Sequence, residues 1–310
     1  MIFTNYLFKN LKYYFFLQLI YFQFYFTETL SQNHNFYFSD LNDNAKVNSL
    51  GGNNISSEHG YFIINPALIK HNLLTLNYFN YIVDISSSSI LFSDSTKFLG
   101  NYGLAIKYLS HGKFKNYDIN GNYNGDFYPK EYILNFSKSY SFSKFRIGTN
   151  LKYHYSKFYE DSNSAFLVDI GSLFKPHRDR DLTIGIVISN VGFTVNKNIE
   201  KIKSDLKIGS SFKPKYMPFR FSFSYLKKEI DYQNISLGIE VLLSRYFNIM
   251  LGYNRKIEKG FEINSSDKFN GFSYGLELIL KRFNLNYSRL ILNSITNTNN
   301  ISINYKLKRK

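Results

Sequence analysis

Hydrophobic and polar positions alternate along most of the chain beyond about residue 72. Between Phe145 and Tyr155, every odd position is apolar, aromatic or β-branched, and every even position is polar, charged or glycine. The same period of two returns in segments of roughly ten residues that are separated by polar turns. Such alternation predicts strands with one apolar and one polar face. Because a bilayer accepts β-structure only as a closed barrel, we predict a transmembrane antiparallel up-and-down β-barrel.

Thirteen segments show the alternation clearly, whereas bacterial single-chain barrels contain even numbers of strands. One strand is therefore hidden, and the best place for it lies between Ile85 and Phe98, where the serine run Ser86–Ser89 blurs the pattern. We predict an all-β barrel of about 14 strands. The clear segments cover residues 72–84, 101–111, 131–142, 145–158, 163–175, 181–193, 205–213, 219–228, 234–244, 247–256, 270–282, 283–292 and 299–309.

Residues 1–32 have the organisation of a secretory signal peptide. Lys9 and Lys12 precede an apolar run that extends from Tyr13 to Phe26. A basic region followed by an apolar run shorter than the roughly 20 residues of a spanning helix is typical of export signals. An uncleaved anchor helix is the alternative. The expected organisation is a signal peptide at 1–32, an N-terminal hatch or plug at 33–71 and the barrel at 72–310.

The segment before the first strand lacks alternation, and we expect it to lie inside the barrel or across its mouth. Pro66 restricts Asn65 to extended or turn geometry, so Asn65-Pro66-Ala67 interrupts any regular element. Gly51 and Gly52 carry no side chains, so their backbone can approach the barrel wall closely. The expected hatch residues are Gly51, Gly52, Asn65, Pro66 and Ala67.

The formal net charge of +15 changes this picture little, because lysine and arginine are dispersed and often occur once per strand on the polar face. Neither a basic helix nor an aromatic-arginine surface is visible, so nucleic acid is not an expected partner. Lipopolysaccharide-phosphate contacts at the rim, a cationic lumen and a lysine-rich coding bias stay open as explanations. Lys152, Glu240 and Glu277 fall on the polar face, which avoids the cost of about 2–4 kcal/mol for a charge facing lipid. Asp169 fits less well, because its strand neighbours are apolar.

The residues that carry chemistry do not form a catalytic or metal-binding pattern. The six histidines are scattered, cysteine is absent, and no Gly-x-Ser-x-Gly nucleophile motif occurs. Asn120–Gly125 with Glu131 approximates a calcium loop, but its first ligand is Asn rather than Asp, and a Gly/Asn-rich hairpin loop is the favoured interpretation. We expect a non-enzymatic protein without a cofactor or metal.

Two polar links, residues 113–130 and 256–268, are expected to form surface loops, where partner binding tends to reside. Aromatic residues among the polar ones suit protein–protein contacts once water is excluded around the rings. The same residues fit an interfacial aromatic girdle equally well, with tyrosine and phenylalanine replacing the absent tryptophan. The candidate partner-binding residues are Phe114, Tyr117, Tyr123, Phe127, Phe261 and Phe269.

Short motifs that occur in order through the chain resemble one family of outer-membrane barrels. Each motif is weak alone, being short and rich in glycine and aromatic residues. They include Leu50-Gly51-Gly52, Asn65–Leu68, Ala105–Ser110, Asn190–Phe193, Gly238–Glu240, Gly252–Asn254 and Tyr287–Arg289. Together they resemble the PorV/PorQ family, which are FadL-related barrels of the Bacteroidetes type IX secretion system.

The resemblance implies a non-enzymatic barrel that anchors a secretion partner at the bacterial outer membrane. The implied protein partners are a PorZ-like surface protein, with PorU and PorV as further candidates, and outer-membrane lipid and lipopolysaccharide are the expected surroundings. The alternative is a FadL-like transporter of hydrophobic small molecules. Such a transporter needs an apolar pocket under the loops or a lateral gap, whereas the residues expected in the lumen are polar.

Overall fold

The computed structural model describes residues 41–308 of the 310-residue chain, except for 58, 82–83, 99, 178–180, 196–202, 229–231, 259–269 and 293–296. Fourteen strands form one closed barrel, in which the first and last strands pair with each other. All neighbouring strands are antiparallel. The predicted barrel of about 14 strands is therefore confirmed. The proposed signal peptide lies outside the described residues.

The described residues contain sixteen strands and two short helical segments. Helix α1 spans Ala45–Ser49, and a 3-10 helix spans Pro66–Leu68. In the described part of the chain, no helix has the length and apolar composition of a membrane span. The strands are β1 Leu73–Asn80, β2 Ser86–Thr96, β3 Gly100–Ser110, β4 Phe114–Tyr117, β5 Tyr123–Phe127, β6 Lys130–Phe142, β7 Phe145–Phe158, β8 Asp161–Phe174, β9 Asp181–Thr194, β10 Asp205–Lys213, β11 Phe219–Lys228, β12 Tyr232–Leu242, β13 Phe247–Glu258, β14 Phe272–Ile279, β15 Phe283–Ile291 and β16 Asn297–Lys306.

The strand hidden by the serine run is β2, which pairs with β1 and β3. Ser87 and Ser89 face inward and are buried, whereas Ser88 between them faces outward. Serine on both faces removes the contrast on which the periodicity depends. Strands β4 and β5 do not belong to the barrel, and they form a separate hairpin between β3 and β6.

The barrel is apolar outside and polar inside. On β3, Leu104 and Ile106 point outward and are about half exposed, whereas Lys107 points inward and is 3% exposed. Glu240 and Glu277 are also buried on the inner face, as the alternation predicted. The inner wall therefore offers polar and charged groups to whatever fills the lumen.

A β-bulge in β9 gives Asp169, which the alternation of β8 places on the inner face, a hydrogen-bond partner. The register between β8 and β9 shifts near Asp169, and Asn190 adopts a left-handed backbone with φ of 62°. Ser189 and Asn190 consequently both face inward and are buried. Asp169 faces the same side and receives a hydrogen bond from the Asn190 N–H at 2.9 Å. The carboxylate lies in the lumen, although its neighbours in sequence are apolar.

Antiparallel strands bring alternate connections to opposite ends of the barrel. The short-turn end carries the connections 97–99, 143–144, 175–180, 214–218, 243–246 and 280–282. The loop end carries the connections 81–85, 111–129, 159–160, 195–204, 229–231, 259–271 and 292–296. Outer-membrane barrels keep short turns in the periplasm and longer loops outside the cell, so we assign the short-turn end to the periplasm.

Candidate functional site

The N-terminal segment, comprising residues 41–72, lies against the inner face of the barrel. The Ala45 N–H donates to Ser302 Oγ on β16 at 2.8 Å. The Thr183 hydroxyl on β9 donates to the Ser56 carbonyl, also at 2.8 Å. Strands β16 and β9 stand on opposite sides of the barrel circle. The segment therefore extends from one side of the lumen to the other.

The segment supplies most of an apolar cluster inside the barrel. The wall contributes the buried side chains of Leu91, Ala105, Leu173 and Val187. Apolar burial stabilises by about 25 cal/mol for each Å² removed from water, so this cluster favours the docked position. The buried members from the N-terminal segment are Val47, Ile55, Tyr61, Phe62, Ile64, Ala67, Leu68 and Ile69.

A belt of inward-facing glycines lets the segment approach the wall. A Cβ atom added to Gly148 would stand 2.7 Å from the Pro66 carbonyl carbon, and one added to Gly103 would stand 2.8 Å from the Phe62 ring. Both distances are too short for carbon atoms, so side chains at these positions would push the segment away. The glycines that meet the segment in this way are Gly103, Gly148, Gly171, Gly185, Gly209, Gly238, Gly252 and Gly275.

Serine completes this belt on the neighbouring strands. Gly103 pairs with Ser137, Gly252 pairs with Ser273, and other belt glycines have serine partners as well. Serine is small, and its hydroxyl can bond the backbone of the segment. Ser273 Oγ donates to the Ser49 carbonyl at 3.2 Å. The belt thus provides close approach and hydrogen bonding together.

The Asn65-Pro66-Ala67 motif is fully buried against the wall. Asn65 has an extended backbone, with φ of −150° and ψ of 110°, as expected before proline. Its side-chain carbonyl accepts the Ala67 N–H at 3.0 Å, which caps the 3-10 helix. Its amide group donates to the Ile55 carbonyl at 2.9 Å and the Ser172 carbonyl at 3.3 Å. Asn65 therefore ties the helix both to the segment and to strand β8.

Gly51 and Gly52 form a left-handed turn beside the wall, with φ of 88° and 83°. The Asn254 amide donates to the Gly51 carbonyl at 2.5 Å. A Cβ on Gly51 would stand 2.9 Å from the Tyr253 carbonyl oxygen. The structure therefore places the proposed hatch residues at the wall, while their role in closing the lumen stays a prediction.

A buried ionic contact anchors helix α1 near the short-turn end. Lys46 Nζ lies 2.6 Å from Glu240 Oε1 and 2.8 Å from Glu277 Oε2. Asn248 donates to the same Glu277 oxygen at 2.9 Å, and Arg220 Nε lies 3.6 Å from Glu240 Oε2. One cation of the segment thus bridges two carboxylates on strands β12 and β14.

Two opposing effects act on the pKa of Lys46. Burial lowers this pKa, but the charges and hydrogen bonds of Glu240 and Glu277 outweigh burial, so the pKa of Lys46 is raised. The resulting stabilisation is complete below the ordinary lysine value of 10.5 and is lost as the pH rises through the raised pKa.

His59 holds the segment together as a neutral ring. Its Nδ1 accepts the Tyr61 N–H at 3.1 Å, so the proton belongs to Nε2, which donates to the Asn54 carbonyl at 2.7 Å. Removal from water lowers the pKa of His59 to about 3. Its contribution to stability is therefore complete above the ordinary value of 6.5 and declines as the pH falls towards 3.

The lumen nearer the loop end is polar and ionic. Lys152 Nζ lies 2.6 Å from Asp169 Oδ2 and 3.2 Å from Asn190 Oδ1. Glu131 joins two histidines, with His111 Nε2 at 2.9 Å and His154 Nε2 at 2.7 Å. Such paired polar and charged groups suit a structural wall.

The β4–β5 hairpin carries the predicted aromatic residues of the first long loop. Phe114 stacks on Phe127 with ring centroids 5.5 Å apart, and Phe127 also contacts Phe158 on β7 at 5.6 Å. These rings hold the hairpin to the barrel rim. Tyr117 and Tyr123 pair at 5.9 Å farther along the hairpin, and each is more than half exposed. Phe261 and Phe269 lie outside the described residues.

The calcium-like motif forms the tip of this hairpin. Asp118 accepts the N–H groups of Asn120 and Asn122 at 2.9 and 2.8 Å, which closes the turn. The Asn122 side-chain amide also donates to Asp118, and this hydrogen bond, followed by those from the backbone N–H groups, lowers the pKa of Asp118. The described residues contain no group of three or more metal-binding side chains with suitable geometry.

Several residues of the site could not be singled out by motif searching. Lys46 has no local signature, and its partners Glu240 and Glu277 are almost two hundred residues or more away in sequence. The glycine belt did leave a signal, because glycine recurs at polar-face positions of successive strands. Because these glycines fall on the polar face of the strands, their recurrence indicates that another backbone or a ligand packs closely against the inner wall.

The barrel is similar to solved outer-membrane channels at low sequence identity. The toluene transporter TbuX of Ralstonia pickettii has a TM-score of 0.59 at 11% identity, covering 87% of this chain and 100% of its own. The CymD monoaromatic hydrocarbon channel has a TM-score of 0.57 at 11% identity, covering 88% and 99%. A deltaS2S3 mutant of the TodX hydrocarbon channel reaches 0.59 at 10% identity, covering 84% and 97%.

No protein-family model matches the sequence, and no curated protein matches it. At such identities, the similarity to solved structures establishes the fold alone. The chain folds as a closed antiparallel β-barrel of 14 strands that is similar to the barrels of these channels and transporters. The solved structures that it resembles are channels and transporters.

Gly171→Ala is expected to loosen the segment, because the added Cβ would overlap Asn65 Oδ1 and stand 2.8 Å from Pro66 Cδ. Overpacking of this kind costs about 1–3 kcal/mol. The chain lacks cysteine, so maleimide labelling of a single Ser57→Cys reporter, at a position 3% exposed, measures release. We expect faster labelling in the alanine variant. When Gly171→Ala and Asn65→Ala are combined, the loss of docking free energy should be smaller than the sum of the losses in the two single variants. Strict additivity of the two losses would contradict the proposed clash.

Lys46→Met should release helix α1, because it leaves Glu240 and Glu277 buried without their shared cation. Breaking a buried pair in this way costs about 3–5 kcal/mol. Faster labelling of the Ser57→Cys reporter is the expected result. Additional replacement of both glutamates by glutamine should restore slow labelling, since no unpaired charge then remains. Equal labelling of the single and triple variants would show that the ionic contact does not hold the helix.

Proposed function

We propose that this protein is a closed outer-membrane scaffold that displays its loop end to a protein partner. The N-terminal segment acts as a hatch, and the β4–β5 hairpin acts as a docking element. In the finer form of the proposal, the barrel belongs to a type IX secretion and surface-attachment complex and anchors a PorZ-like protein. PorU and PorV are further candidate partners, and the protein has no enzymatic role.

The filled lumen is the observation that carries this proposal. The segment bonds to opposite walls through Ala45 and Thr183, and it is anchored by Lys46. Its buried apolar side chains form one cluster with apolar side chains of the wall. A lumen of this kind supports a structural role better than passage of a solute.

The hairpin supports the docking part of the proposal. Its aromatic base is packed against Phe158, so the element has a defined position on the rim. Tyr117, Ile119 and Tyr123 are exposed on its outer part, and the Ile119 side chain is fully exposed. Exposed tyrosines on a rigid base lose little side-chain entropy on binding, which is why tyrosine is frequent at interaction hot spots.

Replacement of both Tyr117 and Tyr123 by alanine is expected to abolish co-purification of the partner in mild detergent, without unfolding the barrel. Mass spectrometry of the pull-down identifies the partner, and a PorZ-like protein supports the finer proposal. The matched control replaces Tyr216 and Tyr246, two exposed tyrosines at the short-turn end, and should leave the association intact. A barrel that purifies alone in several detergents would contradict the docking role.

Transport of hydrophobic molecules is the second candidate, and two observations favour it. The fold is similar to that of a toluene transporter and of monoaromatic hydrocarbon channels. An open apolar depression on the outer wall is lined by side chains of β2, β3 and β6–β9, including Leu104, Phe136 and Phe166. These three side chains point outward, so the depression opens towards the bilayer rather than along the axis.

Uptake by proteoliposomes separates the two candidates. The scaffold proposal predicts that radiolabelled fatty acid and toluene enter no faster than with an unrelated barrel. Specific uptake by the intact protein would favour transport.

Deletion of residues 33–68 should leave a folded barrel with raised conductance in planar bilayers, because the hatch is removed. Unchanged conductance after the deletion would reject the hatch.

A further inference from the structure

The cationic excess of this chain is concentrated at one end of the barrel. The described residues of the six connections at the short-turn end include seven lysines and arginines and no acidic residue. The described residues of the seven connections at the loop end include three basic and four acidic residues. A general lysine-rich bias would raise both ends alike. The asymmetry instead marks the short-turn end as a surface with a chemical role.

The basic residues surround the barrel rather than forming one patch. Every one of the six short connections contains at least one lysine or arginine. Those that the structure describes are all exposed, and they are Lys97, Lys144, Lys175, Lys215, Arg245, Lys281 and Arg282. A protein partner would require a patch on one side. A ring of cations fits a ligand that surrounds the barrel, which is the lipid leaflet.

Aromatic side chains mark the level of the membrane surface beside these cations. Phe98 is 95% exposed next to Lys97, and Tyr216 is 90% exposed next to Lys215. Lys215 Nζ lies 5.7 Å from the Tyr216 ring centroid, and Arg245 Cζ lies 5.8 Å from that of Tyr246. Tyrosine and phenylalanine collect where hydrocarbon meets the headgroups, so the adjoining cations reach the phosphate level.

We propose that the short-turn end is a cationic collar that binds the headgroup phosphates of anionic phospholipids in the leaflet around it. Lysine and arginine near a membrane surface attract anionic lipid, and the attraction is screened by salt. The collar would hold the barrel at a fixed depth, with the loop end kept free for its own partner. This inference does not depend on the proposed scaffold role, because it concerns the opposite end of the barrel.

The test uses the full chain in detergent, with phosphatidylglycerol and phosphatidylcholine as probes and native mass spectrometry as the measure of bound lipid. The collar variant combines Lys97→Gln, Lys215→Gln, Arg245→Gln and Lys281→Gln. The control variant combines Lys115→Gln, Lys157→Gln, Lys227→Gln and Arg255→Gln, which removes the same charge from exposed positions at or near the loop end. Heat-modifiable gel mobility establishes that each barrel is folded.

We expect the unchanged protein to prefer phosphatidylglycerol and the collar variant to lose at least about fivefold of this preference, while the control loses less than about twofold. Salt at about 1 M should remove the preference of the unchanged protein, because screening then acts within a few ångströms. Equal losses in the two variants would indicate attraction by net charge alone and would overturn the collar. A collar variant that keeps its preference would overturn it as well.

Discussion

The whole arrangement depends on how closely a second layer of backbone can approach the inside of a β-barrel. Larger side chains on the inner wall would stand between the wall and the segment and would keep their backbones apart. Glycine and serine on successive strands have no side chain or a small one, so that Pro66 packs directly against Gly148 and Phe62 against Gly103. The hydrogen bonds and the apolar cluster of the segment become possible only at that distance.

The ionic contact of Lys46 depends on the same short distance between the N-terminal segment and the barrel wall. Lys46 can reach Glu240 and Glu277 because helix α1 lies against strands β13 to β16. Charges in such a place are tolerated only when they are paired, and each pair fixes the element that carries it. The two ends of the barrel also differ in chemistry. The loop end has mixed charges and bears an aromatic hairpin, and the short-turn end is basic and bears exposed aromatic residues.

Periodicity predicted the strands well where the two faces differ in polarity. It located β7 at its observed bounds, and the requirement for an even strand number correctly indicated β2. It failed where local chemistry breaks the period. Asp169 lies among apolar neighbours in sequence, and the bulge at Asn190 that gives it a partner cannot be read from β9 alone. The hairpin loop expected at Asn120–Gly125 is present, but the alternation does not mark its two strands, β4 and β5.

The sequence by itself determined the class of fold, the polar lumen, the apolar outer face and the extended geometry of Asn65 before Pro66. These properties depend on residues near one another in the chain. A period of two predicts the two faces of a strand, and a proline restricts the backbone of the residue before it. Only the tertiary structure decided which groups meet across the lumen. Lys46 and Glu277, or His111 and His154 on Glu131, become neighbours through strand register and barrel closure, and these carry no local signature.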